Sequence, residues 1–308
     1  MGFSDLLPLT DAELDAAVRL SDEAGWNQSR ADWQLMLMEG CALAARDAKS
    51  AVIGTALAMP VGPALTWISM VLVDRRHRNR GLGTQLLLGA LDQARRDGAA
   101  VGLDATELGR PLYLRLGFRD GFTITRYLRP ATNSPLPFPP PLAGEAGAKR
   151  RVGARRSGPP LPPRQAAVSL PAPAGRDFLA GDIAVLAAIE AAMGAHRPAV
   201  LGHLLGRWPA AAWQSEQGFV LARDGRTAFQ VGPLWADRPA TAAALLDYAV
   251  AACPGPVIVD APDGQGEFAG RLAELGFVRQ RAYMRMVYGD AGLSEPPSLF
   301  AIAGPEFA

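Results

Sequence analysis

A proline-rich break is the feature that most constrains this chain. Residues 133–174 hold eleven of its 26 prolines and few large apolar side chains. Such a stretch cannot bury enough apolar surface to offset the entropy of ordering it, so it reads as an extended, disordered linker. It leaves a segment of ordinary domain size on each side. The expected organisation is a first domain over 1–132, a linker over 133–175 and a second domain over 176–308. Inside the linker runs K-R-R-V-G-A-R-R, from Lys149 to Arg156. It could touch nucleic acid or an acidic surface. The plainer reading of an isolated basic run is a solvated spacer, and the lack of interleaved aromatics argues against nucleic acid.

The flanking segments echo each other. Ala45-Arg46-Asp47 ahead of Ala51 has a counterpart in Ala222-Arg223-Asp224 ahead of Ala228, and each reads as a hairpin. Leu116-Gly117-Phe118 recurs as Leu275-Gly276-Phe277. The matching order predicts a duplicated domain. With 49% apolar residues each copy can bury a core, and a formal charge of +1 selects no polyanionic partner. The two cysteines, Cys41 and Cys253, have no Cys or His at ligand spacing. No metal is expected, and two scattered thiols fit a reducing compartment. The N-terminus carries acids rather than a signal pattern, and Leu6 breaks the myristoylation pattern. No run has the length of a membrane span, so the expectation is a soluble cytoplasmic protein with no membrane partner.

The first segment reads as mixed α/β. Helical periodicity covers 10–20, opened by a Thr10–Glu13 capping box, and 29–38. Strands are expected over 41–46, 51–58 and 65–73. A helix over 83–97 puts Leu86, Leu87, Ala90, Leu91 and Ala94 on one face, and Gly98 can close it. A strand at 100–105, a short helix at 111–116 and a strand pair over 118–128 complete it.

Between the strand ending at Val73 and the following helix lies D-R-R-H-R-N-R-G-L-G. Glycines let the backbone approach an anion closely, the helix adds free N–H donors, and arginines supply countercharge. This is a polyanion cradle, best suited to the pyrophosphate of a nucleotide-like cofactor.

The strand, the cradle and the downstream L-D-A-T-E-L-G-R-P-L-Y-L-R-L-G-F together resemble the GNAT N-acetyltransferase superfamily over residues 5–130. Arg78, Gly81 and Gly83 fill its cofactor motif, and Tyr113 stands in its second motif. The whole is similar to a tandem-domain GNAT subgroup, to which Arg285-Met286 and the tail Gly304-Pro305-Glu306-Phe307 also conform. The resemblance implies two GNAT-fold domains, each a twisted mixed sheet flanked by helices. It implies acetyl-CoA as cosubstrate and direct transfer to the primary amine of a small molecule or peptide. The backbone of Leu72 and Val73 would pair with the pantetheine arm. Backbone N–H groups across Arg78, Asn79, Arg80, Gly81, Leu82, Gly83 and Thr84 would hold the pyrophosphate.

Transfer needs an acid for the leaving thiol, for which Tyr113 is the candidate, and a base for the amine. Many relatives carry a carboxylate on the central strand, but that slot is Trp67. Glu107 is the substitute put forward, with Asp104 or a water ordered by Ser69 as alternatives. The missing carboxylate also leaves open a catalytically silent acyl-CoA-binding regulator. Trp26 could stack on the acceptor and Asn27 could bond it; equally, Trp26 could pack and Asn27 cap a helix. In the second segment Asp237 to Ala242 stands where Arg78 to Gly83 stood. Both glycines are gone, Pro239 removes a donor and Asp237 adds an acid. That copy reads as degenerate, with a bracing role. His196 and His203 read as packing or surface residues.

Overall fold

The computed structural model describes residues 6–96, 99–131, 186, 196–289 and 294–308. The expected linker, its basic run, Gly98 and the start of the second domain lie outside the described residues. The first segment runs β1 (Leu7–Pro8), α1 (Leu14–Glu23), α2 (Arg30–Glu39), β2 (Cys41–Arg46), β3 (Val52–Gly62), β4 (Leu65–Val73), α3 (Leu82–Ala94), β5 (Ala100–Thr106), α4 (Arg110–Arg115) and β6 (Arg119–Arg129). The second runs α5 (Pro198–Arg207), β7 (Trp213–Ser215), β8 (Gly218–Asp224), β9 (Phe229–Ala236), α6 (Pro239–Ala251), β10 (Val257–Pro262), α7 (Gly266–Glu274), β11 (Val278–Tyr288) and β12 (Leu299–Ala301).

Local signals act as expected at several helix ends. Glu13 accepts from the Thr10 backbone N–H at 3.0 Å, so the first helix opens on a short 3-10 turn and is regular from Leu14. Ser29 and Asp32 form a second capping box at the start of α2. The expected apolar stripe of α3 is buried at Leu86, Leu87, Ala90, Leu91 and Ala94.

The strands form one sheet in the order β1-β2-β3-β4-β5-β11-β6-β10-β9-β8-β7, with β12 added on β9. The two segments therefore exchange their last long strands. β11 of the second segment lies antiparallel between β5 and β6 of the first. β6 of the first lies antiparallel against β10 of the second. This corrects the expected strand pair over 118–128. That stretch is a single strand whose neighbours both come from the other segment, a long-range pairing that no local pattern encodes.

Two buried ion pairs mark the exchange, and each crosses between segments. Arg285 on β11 grips Asp104 on β5 with two bonds of 2.9 Å. Arg126 on β6 grips Asp260 on β10 with two bonds of 2.7 Å. The aspartates sit at matching places, in Leu103-Asp104-Ala105 and Val259-Asp260-Ala261. Each receives its arginine from the opposite copy. A buried pair of this bidentate kind contributes little net stability when intact, but it penalises any arrangement that separates the partners.

The core has the same logic. On one face α3 covers the first segment's strands, and α6 and α7 cover the second's. The other core is shared: Trp33 of α2, Leu57, Trp67, Leu201 of α5, Phe219 and Phe307 pack together. Trp33 satisfies its indole N–H on Ser21 Oγ at 2.7 Å.

Candidate active site

The site grows from a place where two parallel strands part. β4 and β5 pair only from Leu65↔Ala100 to Trp67↔Gly102. Beyond that point β4 continues to Val73 beside β3, and its other edge is left open. A bulge accompanies the divergence: the register against β3 slips between Thr55 and Leu57, and Met70 adopts φ +52°. Thr55 Oγ1 donates to the Met70 carbonyl at 2.9 Å and fixes the kink.

Residues 74–81 carry the chain from β4 to α3. Gly81 is the N-cap of α3 with φ +79°, a conformation costly for any residue with a Cβ, and Asn79 sits at φ +60°. The first intrahelical bond runs from Gln85 N–H to the Gly81 carbonyl. The N–H groups of Leu82, Gly83 and Thr84 are therefore the free donors of a helix N-terminus. The Leu82 side chain is buried in the core, so only its backbone qualifies. A Cβ on Gly83 would meet nothing closer than Val73 Cγ2 at 3.7 Å, so space is held open there. Among the basic residues, Arg75 and Arg78 donate to the carbonyls of Glu23 and Val73. Arg80 is exposed and has no partner among the described residues. The turn can thus present backbone donors and positive charge to a pyrophosphate, and the edge of β4 that β5 leaves free can accept an extended polar chain, with Arg78 already seated on the Val73 carbonyl at its end. The residues present fit coenzyme A.

At the mouth of the split lies a cavity of about 110 Å³. Tyr113 of α4 lines it, as do Trp26, Gln28, Ser69, Asp104, Arg126, Arg281, Tyr283, Pro305 and Glu306. Burial pushes the Tyr113 phenol up to about 12, so it holds its proton at neutral pH. No hydrogen-bond partner takes its hydroxyl among the described residues.

The candidates for the base and acceptor roles are placed differently from expectation. Glu107 is exposed just past β5 and outside the cavity lining. Asp104 does line the cavity, but both of its oxygens are held by Arg285. Trp26 reaches the cavity. Asn27 does not: its side chain is buried against the second segment, where Oδ1 accepts from Thr227 N and Oγ1 and Ala228 N, and Nδ2 donates to the Ala228 carbonyl. It braces the 225–228 hairpin instead of reading an acceptor.

Trp67 acquires a structural meaning. Its ring lies over Gly102, where a Cβ would fall 2.3 Å from the indole. Arg285 stacks on it at 4.6 Å. Its Nε1 donates to the Pro305 carbonyl at 2.8 Å, and Ser69 Oγ donates to the Glu306 carbonyl at 3.3 Å. The C-terminal tail is thereby drawn into the first segment's cavity. Arg197 holds the Phe307 carbonyl, and Arg223 binds Glu306 Oε1. Arg223 also binds Asp32, which takes Arg207 and His203 on its other oxygen. His203, read from the sequence as a packing or surface residue, packs on Phe307 and also bonds Asp32 in this network. Burial opposes ionisation of Asp32, yet Arg223, His203 and the Ser29 cap hold its carboxyl below the usual range.

The second segment repeats the geometry and fills it. β9 and β10 pair from Phe229↔Val257 to Val231↔Val259 and then part. β12 enters this split, pairs Leu299 with Trp235 and Ala301 with Leu234, and Ile302 N–H donates to the Asp260 carbonyl. A Cβ on Gly232 would fall 2.0 Å from the Ile302 carbonyl oxygen. Only Asp237 and Arg238 separate β9 from α6. Asp237 is engaged with Thr241 at 2.7 Å. The expectation of a degenerate copy thus acquires a physical basis, which the tail supplies. Arg281 was not reached from the sequence; Gln28 stood beside Trp26 and Asn27 without a role of its own, and the tail with Glu306 was noticed only as a likeness, so its position in the fold is what gives it a role.

A parted pair of parallel strands, built twice and filled once, with a glycine turn beside the open copy, defines the class. The GNAT acetyltransferase family profile matches residues 9–118, and a GNAT acetyltransferase domain profile matches residues 185–301. The chain belongs to the GNAT acetyltransferases and carries two such domains in tandem. It is 22% identical to YitH of Bacillus subtilis, an uncharacterised N-acetyltransferase, over 96% of this chain and 91% of that one. Its fold is similar to a structure from Pyrococcus horikoshii provisionally described as an acetyltransferase (TM-score 0.71, 19% identity, 98% of this chain and 95% of that one). It is also similar to a GCN5-related N-acetyltransferase from Sphaerobacter thermophilus (TM-score 0.58, 15% identity, 94% and 97% covered). No helix among the described residues is long and apolar enough to cross a membrane. The described residues include no group of three or more His, Cys, Asp or Glu able to hold a metal.

Proposed function

We propose that the chain transfers an acetyl group from acetyl-CoA directly to a primary amine in the cavity of the first domain. The observation that carries this reading is the open β4/β5 split, bounded at one end by the Gly81 turn and at the other by Tyr113. Leu72 and Val73 would hold the pantetheine arm through their backbone. The N–H groups of Leu82, Gly83 and Thr84, with Arg78, Asn79, Arg80 and Gly81 around them, would hold the pyrophosphate. The thioester supplies an activated acyl carbon. The protein must then offer a neutral amine to it and a proton to the departing sulfur. Neutralising a lysine-like amine at pH 7 costs about 4.6 kcal/mol, so a proton acceptor near the nitrogen matters. Tyr113, neutral and unpartnered, supports the reading of a proton donor to the thiolate. The filled β9/β10 split supports a bracing role for the second domain.

The test is acetyl-CoA affinity by calorimetry and thiol release over an amine panel. Gly81→Leu strains the turn and should weaken acetyl-CoA at least about 100-fold while the fold survives. Tyr113→Phe should leave affinity alone and lower kcat by about ten- to a hundredfold. Retained affinity in Gly81→Leu overturns the cradle. Tight binding with no turnover of any amine means a binding protein rather than an enzyme.

A further inference from the structure

We propose that the acceptor is a small zwitterion, an amine that carries its own carboxylate, and that Glu306 of the C-terminal tail receives the proton from its nitrogen while Arg281 receives its carboxylate. This rests on the acetyltransferase reading above.

The cavity carries unpaired groups of both kinds. Gln28 Oε1 and Glu306 Oε2 are buried acceptors with no partner, on side chains of residues only 5% and 2% exposed. Trp213 Nε1, Arg223 Nε and Gln230 Oε1 are also buried without a partner, but only Gln28 Oε1 and Glu306 Oε2 are acceptors on side chains that line one cavity, where a single donor group could satisfy both. Arg281 shows the converse. Its Nε is buried without a partner, its guanidinium lies over the Tyr283 ring at 5.3 Å, and no carboxylate pairs with it among the described residues. The other charged groups of the lining are already neutralised: Asp104 by Arg285, and Arg126 by Asp260. Besides the Tyr113 hydroxyl, what remains is one carboxylate oxygen, one amide oxygen and one guanidinium, with the Trp26 ring beside them. An ammonium complements the first two and a carboxylate the third.

Glu306 is positioned to act as well as to bind. Trp67 and Ser69 pin the tail through its carbonyls, and Arg223 takes Oε1 and leaves Oε2 to the cavity side chains. Burial raises the affinity of its carboxyl for a proton. Arg223 on β8 and Arg126 on β6 oppose this; Asp32 on α2 adds to it, and Tyr283 of β11 faces the same centre. A carboxylate so raised is a better proton acceptor at neutral pH than an ordinary one. The central-strand slot that holds Trp67 is therefore served by a carboxylate that Trp67 itself anchors.

The protons balance. The ammonium gives one proton to Glu306. The freed nitrogen pair forms the C–N bond to the thioester carbon, and the C–S bond breaks with its electrons on sulfur. Tyr113 protonates the sulfur, and the second proton lost from nitrogen as the amide forms restores Tyr113. Glu306 then releases its proton to solvent.

The test compares free amino acids with their carboxamides and with simple alkylamines, by thiol release at saturating acetyl-CoA. Wild type should favour the acids by about tenfold or more in kcat/KM. Arg281→Met should erase that preference through KM, with acetyl-CoA affinity unchanged. Glu306→Gln should lower kcat about 100-fold and remove the low-pH limb of the rate profile, and Glu306→Asp should restore the limb in part. If Glu306→Gln fails to fold, Arg281→Met and Glu306→Asp carry the test. Carboxamides or alkylamines used as well as acids, no turnover of any zwitterion, or an intact limb in Glu306→Gln overturns the inference. Loss of acetyl-CoA binding in wild type would instead defeat the acetyltransferase reading on which it rests.

Discussion

The two copies split their sheets at the same place and treat the split in opposite ways. In the first, β4 and β5 part after Trp67↔Gly102 and the gap leads to a glycine turn whose helix donors are free. In the second, β9 and β10 part after Val231↔Val259 and the gap is closed by β12. A parted parallel pair leaves unpaired backbone groups, and these need a partner. One copy leaves its split open; the other fills it with Leu299 to Ile302 of its own tail. Loss of the glycine turn and gain of the plug act in the same direction. The tail then continues from the filled split into the open one's cavity, so the closed copy furnishes part of the other's site.

The largest effect should come from removing the tail. Deleting 299–308 strips β12 and the buried side chains of Phe300, Ile302 and Phe307. Each large core truncation costs about 2–5 kcal/mol, and a domain has only about 5–15 kcal/mol in total. The shortened chain should therefore lose its cooperative thermal transition. A shortened chain that stays folded and binds a second equivalent of acetyl-CoA would break the comparison, because the plug would then be a removable blocker of a competent site.

A middle-sized effect tests whether the copies are joined symmetrically. Arg126→Met and Arg285→Met each leave a fully buried aspartate without its counter-ion. Each should cost about 3–5 kcal/mol in denaturant unfolding, because an unpaired buried charge is strongly unfavourable. Restoring neutrality with Asp260→Leu in the first or Asp104→Leu in the second should recover much of the loss. Unequal costs would show that the exchange of β6 and β11 rests mainly on one of the two pairs.

Local features were legible in the sequence and crossings were not. The helices of the first segment, strands β2 to β5 and the glycine turn follow from periodicity, capping residues and breakers, all of which act over a few residues. The repeated Leu-Gly-Phe and hairpin motifs revealed the duplication. Nothing local told Arg126 from Arg285, or assigned each to the aspartate of the other copy, because that pairing depends on strand exchange across more than a hundred residues. Asn27 illustrates the same limit. A buried amide following a tryptophan suits an acceptor pocket as well as a brace, and only the approach of the 225–228 hairpin decides for the brace. Glu306 could be reached only through the fold, since it lies 237 positions from Ser69, the residue that helps to hold it.

The smallest effect sharpens the comparison most directly, because it separates what glycine does for the protein from what it does for a ligand. Gly83 sits in the first turn of α3 at an ordinary helical conformation, and a Cβ there would make only normal contact with Val73. Packing thus gives no reason for glycine, and helix propensity argues against it by up to about 1 kcal/mol. Gly83→Ala should therefore raise the melting temperature of the free protein slightly and weaken acetyl-CoA by about tenfold, since the added methyl stands where backbone must approach phosphate. Counted from the helix starts rather than from the turn sequences, the second residue of α6, matching Gly83 in α3, is already Ala240, one residue past Pro239. Ala240→Gly should lower the melting temperature slightly and leave acetyl-CoA affinity unchanged. Opposite signs for stability and binding in one copy, with a stability effect alone in the other, would assign the first glycine turn to the ligand. A Gly83→Ala protein that binds as tightly as wild type would remove that residue from the cradle and leave Gly81 alone to define it.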